Sequence, residues 1–187
     1  MKKTTTILIG VLVIILLIAG YFVSSYNGIV AAEEEVDAQF AKVETQLQRR
    51  FDLIPNLVSA TQGYMQHEKD VFTAIADARS KLAGATTVND KVEASNELEG
   101  ALSRLLMVVE NYPELKADTQ FTALMDELAG TENRIATERN RYNESVQTFN
   151  AKIRKFPTSF IASIMGVEKR DYFEAQAGAD QAPSVNF

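Results

Sequence analysis

Residues 7–23 carry no charge; Lys2 and Lys3 precede them, and the first acidic residue of the chain is Glu33. As a helix this run would extend about 26 Å at ~1.5 Å per residue, close to the ~30 Å hydrocarbon thickness of a bilayer. Ile7, Leu12, Ile15, Leu17 and Val23 therefore mark an expected membrane anchor over residues 1–25. A cleaved secretory signal is the competing reading. The run exceeds the roughly 7–15 apolar residues of such signals, and bulky Tyr21, Phe22 and Tyr26 spoil a small-residue cleavage pattern near its end. With no cysteine in the chain, an acylated lipoprotein anchor is excluded. The first basic residue after the run is Lys42, so the lysine bias favours a cytoplasmic N-terminus, a single crossing of the cell membrane and an extracytoplasmic bulk.

Beyond the anchor, 17 basic and 25 acidic residues leave a formal charge of −8. Such a surface repels nucleic acid and anionic lipid over most of its area. Residues 26–155 hold two prolines, Pro55 and Pro113, and apolar residues recur in sevens. One seam reads Val36, Val43, Arg50, Leu57, Tyr64, Val71 and Ala78; its companion reads Phe40, Leu47, Ile54, Thr61, Glu68, Ile75 and Leu82. That spacing predicts a long helix packed lengthwise against others, broken by a loop over residues 81–90. A second helix turns Leu98, Leu102, Leu105 and Val109 inward and stops before Pro113. A third opens near Pro113 or Asp118 and runs to Ile153, with Pro157 ending it.

The expected fold is all-α: an N-terminal transmembrane helix followed by an elongated antiparallel bundle of three long helices plus a short C-terminal helix. The bundle should occupy residues 26–174 and a flexible tail residues 175–187. The first bundle helix is free to continue directly from the anchor, because Gly28 is the strongest breaker between them. In the short helix Phe160, Ile161, Ile164 and Met165 form an apolar stripe closed by Gly166. Together with Phe187 at the terminus, that stripe is a candidate partner or membrane surface.

Candidate chemistry is sparse. Arg50 falls on the apolar seam, where a cation is costly unless paired. Arg49, Asp52, Glu132, Arg139 and Asn143 are expected to join it in polar contacts that fix helix register, as buried polar residues do in coiled coils. An arginine pair binding an anionic ligand is the rival reading. His67-Glu68 invites a metal, but adjacent residues point to different faces of a helix and His67 is the single histidine of the chain. A capping or inter-helix hydrogen bond is the simpler role. There is no His-Glu-x-x-His, Gly-x-Ser-x-Gly or phosphate-binding glycine loop. No catalytic, cofactor or metal residues are assigned, and no enzymatic activity is expected.

Several stretches carry a family resemblance: Leu47-Gln48-Arg49-Arg50 running into Asp52-Leu53-Ile54-Pro55-Asn56-Leu57-Val58, then Gly63-Tyr64 through His67-Glu68. Tyr112-Pro113-Glu114-Leu115-Lys116-Ala117, Thr131-Glu132-Asn133, Arg141-Tyr142-Asn143 and Phe156-Pro157 continue it. Over residues 20–175 the chain resembles the LemA family of bacterial membrane proteins. The resemblance implies a membrane-anchored helical bundle in the bacterial inner membrane and brings no enzymatic activity or cofactor with it. Phe149 stands where that family commonly shows tyrosine, which suits a packing role. The resulting expectation is a non-enzymatic scaffold or assembly protein of the cell envelope. It would touch the lipid bilayer through its span, form a homo-oligomer, bind no nucleic acid and have a protein partner of unknown identity. The alternative is an adaptor or sensor in envelope quality control that presents its C-terminal tail.

Overall fold

The computed structural model describes residues 2–65 and 67–173. All regular structure among them is helical: α1 (Lys2–Gln62), α2 (Lys69–Gly84), α3 (Val88–Val109), α4 (Pro113–Lys116), α5 (Thr119–Arg154) and α6 (Thr158–Met165). The tail from residue 174 onward, including Phe187, lies outside the described residues. The all-α expectation holds. The apolar run and the first bundle helix are one uninterrupted element, and α1 continues through Pro55.

Contacts group the chain into two units. The first joins α1 as far as Gln39 to Arg141–Arg170. Among the described residues the apolar run within it is left open: Ile7, Leu12, Leu17 and Val23 are 66%, 56%, 68% and 58% exposed. In length and composition this helix suffices to cross a membrane. Further along, Ile29 and Val36 are buried together with Tyr142, Val146, Phe149 and Ile153 of α5. The alternating three- and four-residue spacing of that α5 set is the seam of a helix packed lengthwise. The Lys152 ammonium donates to the Gly28 carbonyl at 2.5 Å, and Arg170 donates to Glu33 at 2.9 Å. From α6, Ile161 and Ala162 complete the buried set. Gly166 ends that helix in the left-handed region at φ 68°, where a Cβ would be strained, and its N–H donates to the carbonyls of Ala162 and Ser163.

The second unit comprises Phe40–Asn140 with, among the described residues, 171–173. Its core gathers Ile54, Leu57, Met65, Ile75, Leu98, Leu102, Leu105, Leu115, Phe121 and Leu128. Connections of a few residues force successive helices to reverse. Accordingly Lys81 of α2 meets Glu97 of α3 at 2.6 Å, and Arg49 of α1 meets Glu127 of α5 at 2.9 Å. Thr87 caps α3 in a reciprocal box with Asp90, and the Asp118 carboxylate accepts the N–H groups of Gln120 and Phe121 to start α5.

The loop expected over residues 81–90 is shorter, since α2 runs to Gly84 and α3 begins at Val88, and the larger departure from three long helices lies in the first of them. The heptad pattern carried the first helix from Val36 to Leu82 in one piece, yet α1 stops at Gln62 and α2 begins at Lys69. Continuing would place Thr61, Tyr64 and Glu68 along a seam and keep Gly63 inside a helix, at about 1 kcal/mol relative to alanine. The reversal instead buries Met65 completely beside Ile54, Leu57 and Ile75. Thr61 satisfies its hydroxyl on the Leu57 and Val58 carbonyls. Burial of a whole methionine side chain, about 1.5–3 kcal/mol, outweighs an unbroken heptad.

Leu105 has no exposed surface, whereas Met107 on the same helix is 64% exposed. Leu105→Ala should therefore cost about 2–5 kcal/mol of unfolding free energy, and Met107→Ala less than about 0.5. Denaturant titration of the full chain in detergent micelles, followed by circular dichroism, measures both. Equal effects would contradict this packing.

Candidate functional site

The most unusual constellation lies in the second unit and is built from α1, α3 and α5. Arg50 projects from the apolar seam of α1 and is fully buried. Its Nη1 donates to Glu132 of α5 at 2.8 Å. Its Nη2 donates to the Ser95 carbonyl of α3 at 3.2 Å and also to the Ser95 hydroxyl. From α5, Arg139 donates to that same hydroxyl at 2.8 Å. The Arg139 guanidinium also lies 3.9 Å from Glu99 and stacks 4.4 Å over the Phe173 ring. Two cations thus converge on one serine oxygen, whose two lone pairs make that geometry feasible.

The electrostatics are costly and only partly offset. Loss of hydration, then the positive charge of Arg50, hold the Arg139 pKa below its ordinary value, while Glu99 and Glu132 oppose that shift. Among the described residues the Nε atoms of Arg50 and Arg139 are buried without hydrogen-bond partners. Chemically the arrangement is a closed polar layer. The Nη atoms of the two guanidinium groups are directed at Glu132, Ser95 and Glu99, and the Glu132 side chain stays partly exposed.

Arg49 pairs with Glu127 in the open, with side chains 47% and 43% exposed. Asp52 accepts from Gln48 one turn back on its own helix, so this contact is not between helices. Asn143 is half-buried on α5 in the first unit. His67 is exposed in the turn between α1 and α2. Glu68, its neighbour, accepts the Tyr112 hydroxyl at 3.1 Å. Loss of hydration first, then that carboxylate, push the Tyr112 phenol above its ordinary pKa. Nearby, Tyr64 donates to Asp118 at 3.4 Å. The Gly63-Tyr64-to-Glu68 stretch and the stretch around Tyr112-Pro113 therefore meet at one end of this unit. Among the described residues no three His, Asp or Glu side chains are grouped to hold a metal ion.

Sequence reasoning missed Ser95. It sits three residues before Leu98 on the run of Leu98, Leu102, Leu105 and Val109, so extending that run one step would have found it. Also missed were Lys91, which pairs with Glu44 and lies 5.5 Å from the Phe40 ring, and Asn150. The Asn150 amide donates to the Arg170 carbonyl and accepts the Arg170 N–H, both at 2.9 Å. A solvent-open cleft of about 360 Å³ runs along Glu44, Phe51, Leu82 and Lys91.

Compared with known proteins, residues 39–187 match the model of the LemA family. The chain belongs to the LemA family. Two magnetosome proteins from Paramagnetospirillum magneticum, MamQ 1 and MamQ 2, are each 29% identical over 83% of this chain. The alignment covers 66% of either relative's own length. Protein LemA of Metamycoplasma hominis is 24% identical over 82% of this chain and 71% of its own length. None of these names is that of an enzyme. With its exposed apolar helix, this LemA-family chain is a membrane-associated helical protein.

If Arg50 and Glu132 interact as their geometry indicates, a double-mutant cycle of Arg50→Met and Glu132→Gln should give a coupling energy of about 1–3 kcal/mol. Unfolding titrations of the four proteins supply it. A coupling within about 0.3 kcal/mol of zero would mean that the pair contributes nothing.

Proposed function

We propose that this LemA-family protein is a single-pass protein of the bacterial inner membrane that acts as a non-enzymatic scaffold. The bundle lies on the extracytoplasmic side and self-associates through helical faces. The observation that carries this reading is the uncovered apolar run of α1, which continues without a break into a bundle helix. A scaffold needs a fixed point and a surface, and one helix supplies the first. The second is supported by apolar side chains left in the open on the bundle, Met107 at 64% and Leu106 at 38% exposure on α3. The polar layer around Arg50 supports the non-enzymatic side, because its charged groups are spent on holding α1, α3 and α5 in one register.

Mass photometry of detergent-extracted full-length protein should show oligomers that grow in population with concentration. Strictly monomeric particles at micromolar concentration would overturn self-association. For topology, an alkaline phosphatase fusion at the C-terminus should be active and a cytoplasmic reporter fused there silent. The reverse pattern would place the bundle in the cytoplasm.

A further inference from the structure

Helix α6 is apolar on both of its faces, and one of them is bare. Ile161 and Ala162 are each 3% exposed, packed into the first unit. On the other side Phe160 and Ile164, one turn apart, are 68% and 59% exposed, and Phe156 just before the helix is 89% exposed. No residue of α6 is charged. Thr158, Ser159 and Ser163 bear hydroxyls, but the large side chains on both sides of α6 are apolar, as in a helix that lies in a core or in lipid.

The position of α6 identifies what covers the bare face. The Tyr21 hydroxyl and the Thr158 hydroxyl are 3.2 Å apart, within hydrogen-bonding distance. Tyr21 stands two residues before Val23, where the apolar run of α1 ends, and tyrosines concentrate where a span leaves the hydrocarbon. The first turn of α6 is therefore held beside the end of the span. Arg154 and Lys155, the exposed cations between Ile153 and Phe156, lie within a few residues of the patch. Basic side chains there meet the phosphates of a headgroup layer. We infer that α6 is an interfacial helix that lays Phe156, Phe160 and Ile164 into the leaflet that α1 leaves at Tyr21, with Arg154 and Lys155 at the phosphates. The inference rests on the reading of α1 as a span. The anchor already holds the patch at the bilayer, so inserting three side chains carries little further cost in translational freedom.

The chain has no cysteine, so single labels are clean. Ser163→Cys on α6 and Val13→Cys at the middle of the apolar run would each carry a fluorophore in full-length protein. The protein is reconstituted in phosphatidylcholine–phosphatidylglycerol vesicles doped with lipid nitroxides. Position 163 should be quenched more by a nitroxide near the headgroup than by one deep in the acyl chain, and position 13 the opposite way. Phe160→Glu with Ile164→Glu should abolish quenching at 163 and leave 13 unchanged. The unsubstituted comparison of shallow with deep nitroxide decides the matter even if that double variant misfolds. Quenching at 13 with position 163 open to aqueous iodide would overturn the inference while sparing the span. Shielding of 163 from both iodide and lipid would assign the patch to a second copy of the chain and overturn it too. An unquenched position 13 would mean that α1 does not insert, and both readings would fall.

Discussion

Water is a poor solvent for the surface that residues 7–23 present, and nothing else in the described chain covers it. Each exposed leucine, isoleucine or valine side chain there forgoes roughly 1.5–3 kcal/mol of burial. A sum of that kind over a dozen side chains exceeds the whole stability of an ordinary domain, about 5–15 kcal/mol. The chain therefore needs a second solvent, and a bilayer meets the requirement in thickness as well as polarity. Other properties follow from that requirement. The acidic residues of the chain all lie beyond the apolar run, and α6 comes to rest beside the end of that run through Tyr21 and Thr158.

Within the second unit a different economy operates. An apolar side chain at position 50 would fit the seam and remove two awkward arginine contacts. The chain instead keeps a fully buried guanidinium, shares one serine hydroxyl between two cations, and leaves two Nε atoms unsatisfied. Leucines slide past one another at little cost, while a guanidinium matched to Glu132 and the Ser95 carbonyl fits at one offset only. The layer joins α1, α3 and α5 through the contacts of Arg50 with Glu132 and Ser95.

Much of this was legible in the sequence because it depends on local periodicity and on strong one-residue signals. The all-α class, the α3 seam, the Asp118 start of α5 and the Gly166 stop all belong to that kind. Where the sequence misled, the deciding interaction was distant. Gly63 weakens a continuing helix only modestly, and the core contacts of Met65, remote in sequence, add to it in favour of the turn. The polar layer was half legible. A cation on a seam advertises itself, as Arg50 does, whereas Ser95 looks like any small residue on a helix until two guanidinium groups are brought to it. Asp52 shows the converse limit: an acid beside two arginines satisfied Gln48 on its own helix instead.

The Asn150 side chain behaves towards Arg170 as a second strand of backbone would, giving one hydrogen bond and taking one. Chain between these two positions is thereby closed into a lariat with α6 at its far side. Closure of such a loop has an entropic cost that grows only slowly with length, and here it is met during folding rather than at each encounter with the surroundings. The bare face of α6 is consequently offered ready-made, like a ploughshare fixed to its frame.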